Sequence, residues 1–235
     1  MGKKKTILVA PLNWGLGHAT RCIPIIKSLL GAGFNVIIAS DGSALLLLQK
    51  EFPKLHCIEL PSYNIRYPKN GVHFKWKLLL KLPRILKVIS SEKKIVEKLV
   101  SEAMIDGIIS DNRFGVRNNQ VPSIYLTHQL NVLSGSTSYF SSKRHQNIIK
   151  KFTECWVPDF EGEDNLSGKL GHLDRIPIKT KYIGVLSRMS KKELEKKYDV
   201  LVLLSGPEPQ RSLLEKKLIQ VFRWQKKSVL IIQGC

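Results

Sequence analysis

The chain has 235 residues, of which 43% are apolar and 24% charged, enough apolar surface for a large core and too much for a disordered chain. No apolar run reaches the roughly 18 to 20 residues of a membrane-spanning helix; the longest lie around Ala44 to Leu48 and Val229 to Ile232. The net charge of +19 predicts a phosphate-bearing partner, whether nucleotide, lipid head group or nucleic acid.

In chain order, three lysines precede Thr6 to Pro11, which reads as a buried first strand; Pro11, Asn13 and two glycines interrupt it too soon for a signal peptide. The glycine-rich turn Pro11 to His18 leads into a predicted helix from Thr20 through Leu30, with Thr20 as cap and Pro24 at the end of the first turn. Further strands are expected at Phe34 to Ser40, Leu55 to Leu60, Gly107 to Asp111, Ser123 to Thr127 and Cys155 to Pro158, with helical stretches between most of them. Hydrophobicity that is continuous rather than alternating predicts strands covered on both faces. The fold class is therefore α/β, with a doubly wound parallel Rossmann-like sheet over residues 1–184.

A lysine-rich linker is expected over 185–199, followed by a second β-α-β pattern over 200–235: a strand from Val200, a turn at Ser205 to Pro207, a helix from Glu208 to Trp224 and a strand from Ser228 to Ile232. That pattern reads as the start of a second Rossmann-like domain, cut short, with uncovered apolar surface. Cys22, Cys57, Cys155 and Cys235 show neither metal-ligand nor disulfide spacing. No metal or cofactor is expected, and the reducing cytoplasm is the expected compartment.

Between Arg66 and Lys98 there are ten basic residues and two acids, Glu92 and Glu97. Lys77, Lys81, Arg84 and Lys87 recur at near-helical spacing opposite an apolar stripe, kinked at Pro83. Such a helix either lies on an anionic membrane, placing the protein at its inner face, or packs its stripe on the domain and turns its lysines to water.

Three features carry chemistry. The turn Asn13-Trp14-Gly15-Leu16-Gly17 opens backbone N–H groups to an anion or a sugar hydroxyl. The same glycines with Asp41 after the second strand allow a dinucleotide-binding oxidoreductase, although Thr20 stands where that fingerprint needs a small residue. His18 either takes a proton from a hydroxyl or simply packs the turn, and Asp111, ending a neighbouring strand, either orients it or caps its own loop. Arg113, His128 and Gln129 belong to loops on the same sheet edge. A third reading is a non-catalytic basic module for membrane or nucleic acid, without a recognisable nucleic-acid motif.

The strand followed by Gly15-Leu16-Gly17-His18, a Pro-containing helix, and Asp111 ending a later strand together resemble the N-terminal domain of inverting GT-B glycosyltransferases. These include the plant-type UDP-glycosyltransferases and the lipid-linked N-acetylglucosaminyltransferase of peptidoglycan synthesis. The resemblance covers most of residues 5–235. It implies His18 as general base and Asp111 as its orienter, with Asn13, Gly15, Gly17, Arg113, His128 and Gln129 along the acceptor crevice. It places Gly206, Glu208, Gln210 and Arg211 where the donor is first contacted. The implied donor is a nucleotide sugar, a UDP-sugar by likeness, and the implied acceptor a sugar or lipid-linked hydroxyl; nucleic acid is not implied. In the lipid-linked branch the glycine-rich loop holds acceptor phosphate, which gives His18 a binding role. The later donor motifs of that family are absent from this sequence, so the 235-residue chain is expected to bind nucleotide sugar poorly and to be inactive alone.

Overall fold

The computed structural model describes residues 3–64, 82–133, 135–173, 179–205 and 208–233. They form two compact units, Met1–Met189 and Ser190–Cys235.

In the first unit a run of β-branched and apolar residues makes β1 (Thr6–Pro11), and α1 (Leu16–Gly31) follows directly. Then come β2 (Asn35–Ser40), α2 (Gly42–Glu51), β3 (His56–Glu59), α3 (Leu82–Ser101), β4 (Gly107–Asp111), β5 (Ser123–Leu126), α4 (Ser138–Ile149), β6 (Glu154–Val157) and β7 (Thr180–Tyr182). All seven strands are parallel, in the order β3-β2-β1-β4-β5-β6-β7, which is the doubly wound arrangement expected. Successive residues of each strand point to opposite faces. Val9, Ile38 and Ile109 pack with Cys22, Ile26, Ala44 and Leu48 of α1 and α2. Leu8, Ile37, Ala39 and Ile108 pack with Val96 and Leu99 of α3 on the other side.

Three elements differ from the sequence reading. α1 begins at Leu16 rather than Thr20, because Gly15 takes a left-handed backbone (φ 83°) that lets the chain turn straight from strand to helix. Pro24 consequently lies inside the helix, where it removes the N–H that the Thr20 carbonyl would have received. The short edge strand β7 was not foreseen, being only three residues long.

The apolar stripe of α3 is the third difference. Val88 is buried, and Ile85 and Ile89 pack with it against Leu12, Trp14 and Tyr63, so this part of the stripe belongs to the domain's own core. Arg84 and Lys87 face outward, whereas Lys77 and Lys81 lie outside the described residues, and Pro83 is the second described residue of the helix rather than a kink within it.

Helix α2 has an unusual start. Asp41, at its N-cap, makes no capping bond; Asn13, from the turn after β1, caps it instead, its Oδ1 accepting from Ala44 N at 3.3 Å and Ser43 Oγ at 3.0 Å. Gly42 has φ 52°, and a Cβ there would collide with the Asn13 amide. Gly42→Ala is therefore expected to destabilise the unit by at least about 1–2 kcal/mol from backbone strain alone. Denaturant titration checks this, and an unchanged midpoint would show that the Asn13 contact is dispensable.

In the second unit β8 (Val200–Leu203) pairs in parallel with β9 (Val229–Ile232), and α5 (Gln210–Phe222) connects them. Leu201, Leu203, Leu213 and Trp224 remain exposed.

Candidate functional site

Parallel pairing places the carboxyl ends of β1, β4 and β5 side by side, with Asp111 opposite both Pro11 and Leu126. The Leu12 N–H donates to the Asp111 carbonyl at 2.9 Å, holding the turn after β1 against β4. The first turn of α1 carries no acidic residue, and Gly15, Leu16 and Gly17 are exposed, so its backbone N–H groups open onto this edge.

His18 and Asp111 meet there. The ring Nδ1 of His18 lies 2.9 Å from Asp111 Oδ1; the carboxylate is fully buried and the imidazole 14% exposed. Among the described residues, Nε2 of His18 makes no hydrogen bond.

The sequence reading missed the third member, Arg21. One turn along α1 from His18, it grips Asp111 through two nitrogens: Nε donates to Oδ2 at 2.5 Å and Nη2 donates to Oδ1. Nη2 also stands 2.8 Å from His18 Nδ1, and Nη1 donates to His128 Nδ1 at 2.8 Å. Nδ1 of His18 thus faces an acceptor and a donor together, and only one can be satisfied at a time. A protonated Nδ1 donates to Asp111 and leaves a lone pair on Nε2; a bare Nδ1 accepts from Arg21 and puts the proton on Nε2.

Burial pushes the Asp111 carboxyl up, but the charge of Arg21 and hydrogen bonds from Arg21 and His18 outweigh it, so the group sits below the ordinary carboxylate range. Because the folded-state pKa is depressed, ionised Asp111 stabilises the fold above the unfolded value of about 3.9, and that stability is lost as pH falls through the folded pKa. Compared by thermal melting, the stability gap between the parent and Asp111→Asn is expected to narrow as pH falls from about 5 to below about 4, where the carboxylate itself titrates. A gap that widened over that acid range would mean that burial, not Arg21, dominates at this carboxylate.

The remaining predicted residues divide. Partial burial, with the charges of Arg21 and His18, holds the His128 imidazole below its ordinary range. Its neutral ring accepts from Arg21 and keeps an Nε2–H for a ligand. Gln129 follows on the same loop, its backbone fixed by Thr127 Oγ1 at 3.0 Å and by His145 Nε2, which donates to its carbonyl at 2.9 Å.

Arg113 does not line the crevice. It is fully buried, donating to the Pro11 carbonyl at 3.0 Å, to Glu92 at 2.8 Å and to Asp41, so its role is to tie loops together beneath the site. Asn13 likewise spends its amide on α2 and on Asp41 Oδ2, at 3.1 Å. The dinucleotide alternative loses its ribose-binding acid at the same point, since Asp41 is buried and paired with Arg113.

Among the expected donor residues, Glu208 accepts from Arg211 Nε at 2.9 Å, from Ser212 Oγ at 2.7 Å and, more distantly, from Ser212 N at 3.4 Å, so its carboxylate is engaged by the first turn of α5, whose first residue is Gln210. Gly206 lies outside the described residues. No group of three or more metal-ligating side chains occurs among the described residues.

No family model and no curated protein sequence matches the chain. Solved structures do. The calicheamicin glycosyltransferase CalG4 superposes with a TM-score of 0.64 at 11% identity, over 100% of this chain and 66% of that one. Phytolacca americana UGT2, complexed with UDP-2fluoro-glucose and pterostilbene, gives 0.62 at 13% identity, over 100% and 72%. A Listeria monocytogenes structure described as a putative UDP-N-acetylglucosamine 2-epimerase gives 0.52 at 10% identity, over 98% and 62%. This chain therefore has the GT-B fold of those structures, over about two thirds of their length. At such identity the likeness defines the fold, and chemistry must be argued from the site.

Proposed function

We propose that this chain carries the acceptor side of an inverting glycosyltransferase, moving a sugar from a nucleotide-sugar donor to an acceptor hydroxyl. The observation behind this reading is the 2.9 Å approach of His18 Nδ1 to a buried, ionised Asp111 at the carboxyl edge of a parallel sheet. In the state where Nδ1–H donates to Asp111, Nε2 is free to take the acceptor's proton as its oxygen attacks the anomeric carbon. The nucleoside diphosphate leaves from the opposite face, and Asp111 stabilises the imidazolium that forms.

Asp111 orients His18 and receives no proton, Arg21 keeps Asp111 ionised and fixed, and the His128 Nε2–H and the Gln129 amide supply hydrogen bonds for acceptor hydroxyls. The exposed N–H groups at Gly15 to Gly17 offer a seat for an acceptor phosphate, and Glu208, Gln210 and Arg211, with Gly206, remain the proposed donor contacts. A UDP-sugar as donor is favoured by the ligand named for the Phytolacca structure. The cytoplasmic face is the proposed location.

The test is nucleoside diphosphate release from a panel of nucleotide sugars by this chain joined to a complete donor-binding domain, with acceptors bearing free or phosphorylated hydroxyl groups. Release that depends on acceptor and is lost in His18→Ala supports the reading. Acceptor-independent conversion of the donor sugar into an epimer would overturn it, since the fold also occurs in the Listeria structure described as an epimerase.

A further inference from the structure

At the start of α4, Tyr139 and Phe140 are 68% and 74% exposed, and Leu133 in the loop before it is 66% exposed. The two aromatic rings meet edge to face at 5.5 Å, and Lys143 Nζ lies 5.9 Å over the Tyr139 ring. From Ser138 to Lys151 the sequence has Lys143, Arg144, Lys150 and Lys151 and no acidic residue, and all four basic side chains are exposed.

The helix is anchored by its other side. Ser142 and Ile149 are buried, Ser142 Oγ accepts from Val132 N at 2.8 Å, and His145 and Gln146 donate to the Gln129 and Leu130 carbonyls. The aromatic end is thus held to the loop that carries His128 and Gln129.

We propose that this end of α4 docks on an anionic phospholipid surface, with Tyr139, Phe140 and Leu133 entering the headgroup boundary and Lys143 and Arg144 pairing with lipid phosphates. Aromatic rings with one apolar and one wet side suit that boundary, and flanking cations without acids give it charge complementarity. The basic, amphipathic α3 is a weaker candidate: Ile85, Val88 and Ile89 are packed internally, and of its described apolar stripe only Leu86, 56% exposed, faces solvent. The docking does not depend on the chemistry proposed for His18.

Vesicle sedimentation of the full chain tests it, using phosphatidylcholine with and without phosphatidylglycerol, at physiological and at raised ionic strength. The parent is expected to sediment with anionic vesicles only. Lys143→Gln/Arg144→Gln should bind about thirtyfold more weakly, from about 1 kcal/mol per cation. Tyr139→Ser/Phe140→Ser should lose the part of the binding that survives raised salt, while Arg84→Gln/Lys87→Gln should match the parent. Since every substituted side chain faces solvent, unchanged circular dichroism is expected throughout. A parent that stays in the supernatant, an aromatic variant that sediments like the parent, or equal losses from both basic pairs would each overturn the proposal.

Discussion

Arg113→Met is expected to destabilise the first unit by about 3–5 kcal/mol, because it leaves two buried carboxylates without their cation. The guanidinium pairs with Asp41 and Glu92 at once, and Glu92 is further bound by Tyr63 OH at 2.7 Å and Gly115 N at 3.0 Å. One side chain thereby joins the turns after β1, β2, β3 and β4. Lowering of the melting temperature by roughly 6 to 20 °C is the matching observable for a unit of this size. Adding Asp41→Asn and Glu92→Gln to Arg113→Met should recover part of the loss by removing the stranded charges. If the single variant melted with the parent, the network would not hold these loops.

With a complete donor-binding domain joined to the chain, His18→Ala should lower transfer at least about a hundredfold with the fold intact, the ordinary worth of a positioned base. The side chain stands at the edge of the site and contributes little to the core, so thermal melting should change little beside the loss in rate. Asp111→Asn is expected to cost less in rate than His18→Ala, since Asp111 does not take the proton, but more in stability, since it leaves Arg21 without its anion. Greater loss of rate from Asp111→Asn than from His18→Ala would reverse the two roles.

Much of the sheet is legible in the sequence because buried parallel strands read as unbroken apolar runs. Thr6–Pro11 and Gly107–Asp111 stand at the boundaries their residues suggest, and most other strands differ by a residue at an end. The His18–Asp111 pair is legible because a doubly wound sheet brings neighbouring carboxyl ends together. Arg21 escapes notice because it depends on where α1 begins. A helix counted from Thr20 leaves Arg21 in its first turn with no relation to His18, whereas one starting at Leu16 sets the two at i and i+3 on one face. Arg113 is misread for another reason: a polar loop looks open until Asp41 and Glu92, distant in the chain, converge on it. Asn13 likewise looks free for ligand until α2 is seen to lack a capping side chain of its own.

The stereochemistry of the product tests the central claim most directly. With an α-linked nucleotide sugar and an accepted hydroxyl, attack by an acceptor that His18 deprotonates displaces the nucleoside diphosphate in one step. The anomeric proton in the product's NMR spectrum should then report the β configuration from the first turnover. Product retaining the α configuration would require two displacements or attack from the leaving-group face, and would contradict the role assigned to His18 and Asp111.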